Sequence, residues 1–297
     1  MRLLTVAGAA VIVRAVLESV GRLSFSSRCA TIDDHLQTTL LSQTTEQACI
    51  LLHGYATTPL ELLPLAQALQ HDGFTTYSPW LPDHRGSPRA LAVCRSETWA
   101  PALGSLIQEV QARHAVVTVV GQSIGGTLAL RLASVHAFAG VVAINPYFRL
   151  RRYGTVVPES IAARIHGVIP YVPFLNVANG TRKLRADLAK GLALVPLAPL
   201  RGLRTLADET RNTVQSVQAP VLFVTSTHDR LVDPTSSDAF AEAIGHSAIE
   251  RVFLERSGHM AVLDVEMHKC ISAIRAFLYR TSVETRSTIA TGMTATQ

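Results

Sequence analysis

The sequence is poor in cysteine, in aromatic residues and in charge. Its four cysteines are scattered without a C-x-x-C pair, which argues against a disulfide framework and leaves only a single bridge open. Charged residues make up 16% of the 297 positions, and no long Lys/Arg run or interleaved aromatic stripe is present, which argues against nucleic-acid binding. The histidines lack metal-ligand spacing with carboxylates (His53, His84 and His228), so neither a metal nor another cofactor is expected.

The N-terminal region has no apolar run long enough to cross a bilayer. Residues 3–13 are apolar, and charged residues then follow at intervals of four: Arg14, Glu18 and Arg22. Residues 1–25 are therefore predicted to form an apolar or amphipathic helix, which either packs on its own domain in a cytoplasmic protein or lies on a membrane surface. A secretory signal peptide is a third interpretation, but the segment before the apolar run has one arginine and no convincing cleavage site follows.

After a polar linker at 26–46, short apolar runs alternate with helical stretches. The predicted strands are 48–52, 75–78, 116–120, 140–144, 221–225 and 251–254. The predicted helices are 60–70, 99–113, 127–134, 234–244 and 261–279. This alternation predicts an α/β fold with a mostly parallel central sheet and helices on both faces.

The alternation breaks between residues 147 and 218. This segment holds several prolines, and an insertion at the carboxyl ends of strands predicts a cap over the functional site. The core is then 47–146 and 219–280, and the Ser/Thr-rich tail 281–297 is predicted to be disordered. The cap holds eleven Lys/Arg against four Asp/Glu. A solvated surface is one interpretation of that charge, and attraction of anionic substrates or anionic lipid is the other.

A G-x-S-x-G motif lies between the predicted strand 116–120 and a helix-prone segment. In this context the glycines permit a tight turn that lifts the serine hydroxyl off the end of the sheet, the geometry of a nucleophile elbow. An ordinary turn serine is the alternative interpretation. The residues assigned to the elbow are Gly121, Gln122, Ser123 and Gly125.

A serine nucleophile needs a histidine base, and that base needs a carboxylate to hold its tautomer. In an elbow enzyme the order along the chain is serine, acid, histidine. Asp229 lies just past the predicted strand 221–225, and His259 lies on the loop after 251–254. Asp233 and Asp264 are rival acids, and His228 is interpreted as a neighbour of the acid. Cys94 and Cys270 lack a matching histidine arrangement and are not expected to act as nucleophiles.

An oxyanion hole is predicted where the first strand ends. Gly54 permits a sharp turn there, so the backbone N–H of Tyr55 is expected to join that of Ile124, directly after the serine, in binding a developing negative charge. His53 is interpreted as a strand-end residue that braces this loop.

With these motifs in place, residues 49–279 resemble the α/β-hydrolase superfamily, and within it the bacterial carboxylesterase and monoacylglycerol lipase group, relatives of serine aminopeptidases. The motifs that match are His53-Gly54-Tyr55-x-x-x-Pro59, Gly73-Phe74, Pro79, Leu81-Pro82, the elbow, 229–234 and 257–259. The group has Gly-His-Gly where this chain has Asp83-His84-Arg85-Gly86.

The resemblance implies a serine hydrolase that cleaves small-molecule or lipid carboxylic esters through an acyl-enzyme on Ser123. Amide or peptide cleavage, acyl transfer, and a non-catalytic binding protein on the same fold are the alternatives. The apolar cap segments 171–175 and 192–200 are interpreted either as an acyl-binding lining or as the cap's own core. The oligomeric state is left open.

Overall fold

The computed structural model describes residues 45–85, 88–151, 171–173, 194–245 and 248–294. The predicted helix at 1–25, nearly all of the linker 26–46 and much of the predicted cap therefore lie outside the described residues. Within the described part, no helix combines the length and the apolar character needed to cross a membrane.

Six parallel strands form the central sheet. In chain order they are β1 (Gln47–Leu52), β2 (Thr75–Tyr77), β3 (Val116–Gln122), β4 (Gly140–Ile144), β7 (Val221–Ser226) and β8 (Ile249–Leu254). Their order across the sheet is β2-β1-β3-β4-β7-β8. The chain changes direction across the sheet between β1 and β3, which is where open α/β sheets bind ligands beyond the carboxyl ends of their strands. The predicted parallel sheet is confirmed.

The longer helices cover both faces of the sheet. They are α1 (Leu63–His71), α3 (Trp99–Arg113), α4 (Ile124–Ala133), α5 (Leu200–Thr213), α6 (Ser236–Ile244) and α7 (Met267–Thr294). A short helix, α2 (Pro88–Ala92), and several 3-10 turns complete the described helices.

Side chains of each strand alternate between two apolar layers. Ile50 and Leu52 face the layer beneath α3, α4, α5 and α6, whereas Cys49 and Leu51 face the layer beneath α1 and α7. Because successive strand side chains point to opposite faces, a strand covered on both sides has no polar face. This explains why the inner strands, such as β3 and β4, are mostly apolar, whereas the edge strand β8 carries Glu250 and Arg251.

The predicted disordered tail is wrong for residues 281–294, which continue α7. Serine and threonine favour disorder by composition, but here threonine hydroxyls bond back to the preceding helical turn. Thr281 Oγ1 donates to Leu278 O at 3.2 Å, and Thr285 Oγ1 donates to Thr281 O at 2.8 Å. Thr281 and Ser282 are buried, so tertiary packing holds this part of the helix.

The described parts of the predicted cap contain a second, two-stranded antiparallel sheet and one helix. The sheet pairs β5 (Tyr171–Pro173) with β6 (Leu194–Pro196), and α5 follows. The sequence pattern did not predict these elements. The cap also contacts the core directly, since the Tyr55 hydroxyl donates to Pro196 O at 3.0 Å.

Candidate active site

Ser123 lies at a sharp turn between β3 and α4. Its φ of 58° and ψ of −124° are unusual for a residue with a side chain, and such strain persists only where the surroundings enforce it. The glycines on either side explain how the turn closes. A Cβ at Gly121 would lie 2.0 Å from Gly125 O, and a Cβ at Gly125 would lie 2.2 Å from Leu52 O. Only glycine fits both positions.

The loops after β7 and β8 bring an acid and a base together. His259 Nδ1 lies 2.6 Å from Asp229 Oδ2, and both side chains are buried. The other oxygen, Asp229 Oδ1, accepts the backbone N–H groups of Leu231 and Val232 at 2.8 and 2.9 Å. The backbone N–H groups thus fix the orientation of the Asp229 carboxylate, so that Oδ2 faces the imidazole of His259.

Burial lowers the pKa of His259, but the Asp229 carboxylate and, to a smaller extent, Glu61 outweigh that effect and raise the pKa above its ordinary value. The imidazolium is therefore stabilised within this site.

Residues 144 and 145, where β4 ends, connect the serine turn to the histidine loop. The N–H of Ser123 donates to Ile144 O at 2.8 Å. The next residue, Asn145, donates from Nδ2 to His259 O at 2.8 Å and accepts the Ser226 N–H at 2.7 Å. Asn145 has a φ of 43°, a conformation that asparagine tolerates better than most side chains. The serine turn and the histidine loop thus meet at the end of one strand.

The loop after β1 lies against the serine, since a Cβ at Gly54 would be 3.4 Å from Ser123 Cβ. The Gly54 carbonyl contacts His53 Nδ1 at 2.9 Å and accepts the Thr57 hydroxyl at 2.8 Å. The C=O of Gly54 and the N–H of Tyr55 belong to the same trans peptide group and therefore point to opposite sides. The contacts of the Gly54 carbonyl thus orient the N–H of Tyr55 away from His53.

In the peptide group between Ser123 and Ile124, the C=O and the N–H likewise point to opposite sides. The Ser123 carbonyl accepts N–H groups from Gly126, Thr127 and Tyr147 at 3.0 to 3.2 Å. The N–H of Ile124 therefore points away from these donors. Ile124 is also the first residue of α4, where a backbone N–H has no acceptor within the helix.

His53 is buried and neutral. Its Nε2 accepts the Leu81 N–H at 3.0 Å, so the proton lies on Nδ1, which donates to Gly54 O. Burial and the neighbouring His84 lower the pKa of His53 well below its ordinary value. The two hydrogen bonds of the neutral His53 imidazole therefore fix the loop after β1.

The segment that departs from the family pattern keeps a conformation suited to glycine. Asp83, which replaces the first glycine of Gly-His-Gly, has a φ of 64°. His84 follows, buried beside His53, Tyr55 and Trp99 with ring centroids 5.1 to 5.8 Å apart. Asp83 therefore preserves the turn that buries His84.

The rival acids have other contacts. Asp233 Oδ1 accepts the N–H of Thr235 at 3.0 Å just before α6, as expected for a residue that starts a helix. Asp264 Oδ2 accepts the N–H of Gly258 at 2.8 Å and so holds the backbone beside His259. His228 is exposed beside Asp229. Of these residues, Asp229 is the one seen to bond to the imidazole of His259 in the described part of the chain.

Three further residues of this region escaped the sequence analysis. Asn145 follows β4, Glu61 is buried beside Gly54 and Gln122, and Arg151 donates from Nη1 to Asp229 O at 2.5 Å. The Asn145-Pro146 pair at the end of a predicted strand was the only local signal among them. The contact between Glu61 and Gln122 and the contact between Arg151 and Asp229 join segments that are far apart in the sequence.

A family model described as serine aminopeptidase, S33 (Hydrolase_4) matches residues 43–266. A thermostable monoacylglycerol lipase from Bacillus sp. (strain H-257) is 28% identical over 218 residues, which cover 73% of this chain and 84% of that protein. A carboxylesterase from Bacillus subtilis (strain 168) is 21% identical over 224 residues, which cover 74% and 87% respectively.

A solved structure from a study of the metagenome-derived lipolytic enzymes LipS and LipT superposes with a TM-score of 0.71 at 22% identity, over 80% of this chain and 96% of that one. At that identity the likeness concerns the fold alone. Together with the family match over most of the chain, it identifies this protein as a member of the Hydrolase_4 family, serine aminopeptidase S33, with the α/β-hydrolase fold.

Proposed function

We propose that this protein hydrolyses carboxylic esters through an acyl-enzyme on Ser123, with His259 as general base and Asp229 as its partner. The proposal rests above all on the hydrogen bond between His259 and Asp229. The loop that carries His259 bonds to the end of β4. The strained turn at Ser123 bonds to the same strand end. A serine hydroxyl becomes nucleophilic only with such a base.

In the proposed first step the Ser123 hydroxyl attacks the ester carbonyl while His259 removes its proton. The tetrahedral oxyanion accepts the N–H groups of Tyr55 and Ile124, whose directions follow from the peptide contacts of Gly54 and Ser123. His259 then gives the proton to the leaving alcohol oxygen, and the acyl group stays on Ser123. Water, deprotonated by His259, attacks the acyl-enzyme carbonyl. As the bond to Ser123 Oγ breaks, His259 returns the proton to this oxygen, and the carboxylic acid leaves.

Lipid esters of the monoacylglycerol kind are the proposed substrate class, by similarity to the Bacillus lipase. Amide cleavage is the second candidate, because the matching family model carries the description of an aminopeptidase. The chemistry of both reactions uses the same nucleophile and base, so the leaving group decides between them.

The test is turnover of p-nitrophenyl esters of increasing acyl length, of 1-monoacylglycerols and of amino-acid p-nitroanilides, with fluorophosphonate labelling of the same samples. We expect ester turnover and labelling at Ser123, and loss of both in Ser123→Ala without loss of folded structure. An intact protein without turnover or labelling would favour the binding-protein alternative. Turnover of anilides alone would favour the peptidase.

A further inference from the structure

Glu61 is a carboxylate buried in the interior, with 1% of its surface exposed. It lies in the 3-10 turn Pro59–Leu62, before α1. Within the described residues, the carboxylate oxygens of Glu61 contact groups that can donate hydrogen bonds. Oε2 accepts the N–H of Gly54 at 2.7 Å, and Oε1 accepts Nε2 of Gln122 at 2.5 Å. Oε2 also lies 2.7 Å from the Thr57 hydroxyl, whose single proton it shares with the Gly54 carbonyl.

These contacts connect the two loops that carry the proposed oxyanion donors. Gly54 directly precedes Tyr55 on the loop after β1, and Gln122 directly precedes Ser123 at the end of β3. A Cβ at Gly54 would lie 3.2 Å from Glu61 Oε2, so the carboxylate also sits close against the backbone there. One side chain therefore bridges the loop and the elbow.

The same carboxylate interacts with the histidine. Burial raises the pKa of Glu61 above its ordinary value, and its contacts with Gly54, Thr57 and Gln122 and the nearby His259 offset only part of that rise. Asp229 and Glu61 are the two carboxylates that raise the pKa of His259 against the effect of burial. Hydrogen-bond donors and a neighbouring imidazolium favour the ionised form of the Glu61 carboxyl group, whereas its burial opposes ionisation.

We propose that Glu61 is a positioning residue for the hydrolysis proposed above: its carboxylate ties the loop of Tyr55 to the elbow of Ser123, and it supplies a second negative charge that stabilises the His259 imidazolium. This inference rests on the proposed function. Glu61 touches no reacting atom and acts through Gly54, Gln122 and His259. The effect of its side-chain length and the effect of its charge can be tested separately by two substitutions.

Glu61→Gln removes the charge and keeps the length. Gln122 Oε1 is buried without a hydrogen-bond partner among the described residues, so rotation of the Gln122 amide lets it accept from the new amide. We expect the acidic limb of the kcat/KM profile to move to lower pH, because His259 loses a favourable charge, and kcat to fall roughly tenfold. An unshifted limb would overturn the electrostatic role.

Glu61→Asp keeps the charge and shortens the reach to Gly54 and Gln122. We expect kcat to fall roughly ten- to a hundredfold with KM little changed, because the oxyanion donors lose their alignment, and the acidic limb to stay at its wild-type position. A wild-type kcat in this variant would overturn the positioning role. If Glu61→Gln does not fold, the measurement on Glu61→Asp alone decides the proposal.

Asp72→Asn is the matched control, since Asp72 follows α1 at its other end and pairs with Arg275. Both kcat and the acidic limb should match the wild type. A wild-type protein that neither turns over esters nor labels at Ser123 would overturn the hydrolase and this inference together. An active wild type with unchanged Glu61 variants would overturn this inference alone.

Discussion

The Nδ1 atom of His259 lies 2.6 Å from Oδ2 of Asp229, although the two residues are 30 positions apart and follow different strands. A neutral imidazole held in this way donates from Nδ1 and leaves Nε2 able to accept a proton. The pair therefore determines both the tautomer and the basicity of the proposed general base.

The proposed base predicts the pH dependence of activity. His259 must be neutral to accept the serine proton, and its pKa is raised above the ordinary value of 6.5. Thus kcat/KM should rise with pH through an apparent pKa above 6.5. Asp229→Asn should lower kcat roughly 10⁴-fold, the loss seen when the aspartate of a serine protease triad is replaced by asparagine, and move the limb to lower pH. Initial rates across a pH series measure both, and a limb below 6.5 in the wild type would contradict the assignment.

The elbow should tolerate no side chain at Gly125. A Cβ there would lie 2.2 Å from Leu52 O and 2.6 Å from His53 O, and both atoms belong to the backbone. Gly125→Ala should therefore lower the free energy of unfolding by about 3 kcal/mol or more. The control is Gly104→Ala in α3, where a Cβ would meet nothing within 4 Å. It should stabilise the protein by about 0.5 to 1 kcal/mol. Urea unfolding measures both variants, and equal midpoints would contradict the prediction.

Asn145 should support both stability and activity. Asn145→Ala leaves the buried Ser226 N–H without the Asn145 acceptor and removes one of two donors to the His259 carbonyl, which keeps the Ala261 N–H. The free energy of unfolding should fall by about 2 to 4 kcal/mol, and kcat should fall as well. Asn145→Gly relieves the positive φ and should be less destabilised than the alanine variant. Asn212→Ala, on the exposed side of α5, is the control for a lost asparagine and should change neither quantity.

The buried cysteines should be inert. Burial raises the pKa of Cys49 and of Cys270 to about 12, so almost no thiolate exists near neutral pH. Iodoacetamide at pH 8 should leave both thiols unmodified in the native protein and alkylate them after unfolding, as peptide mass spectrometry would record. Rapid native alkylation of Cys270 with loss of activity would instead point to a cysteine nucleophile.

The buried histidines should make the protein less stable in mild acid. Burial lowers the pKa of His84 to about 4, so between that value and 6.5 the unfolded chain binds a proton that the folded protein excludes. His84 thus contributes stability that is fully present above pH 6.5 and lost as the pH falls, by roughly 3 kcal/mol at pH 4. His84→Phe should flatten this dependence in unfolding experiments from pH 4 to 7. An identical slope in the two proteins would contradict the prediction.

The strands were predictable from sequence because both faces of the sheet are covered. Continuous apolar runs such as Val116–Gln122 follow from that arrangement, and β-branched residues favour strands. The boundaries of α3, Trp99–Arg113, were predicted correctly for a related reason, since its apolar residues recur at helical spacing. The Ser/Thr-rich composition of the C-terminal segment predicted disorder, and that prediction was wrong. Burial of Thr281 and Ser282 stabilises α7 beyond residue 280.

By itself the sequence was enough to propose the order serine, acid, histidine, and it contains the glycines that permit the sharp turn at Ser123. These are local requirements of backbone conformation and of the acid–base chemistry, and they remain visible along the chain. Only the tertiary structure decided that Asp229, rather than Asp233 or Asp264, contacts His259, and that Glu61 and Asn145 join separate loops. Hydrogen bonds between distant segments depend on which strand ends become neighbours in the sheet, and no single stretch of sequence records that arrangement.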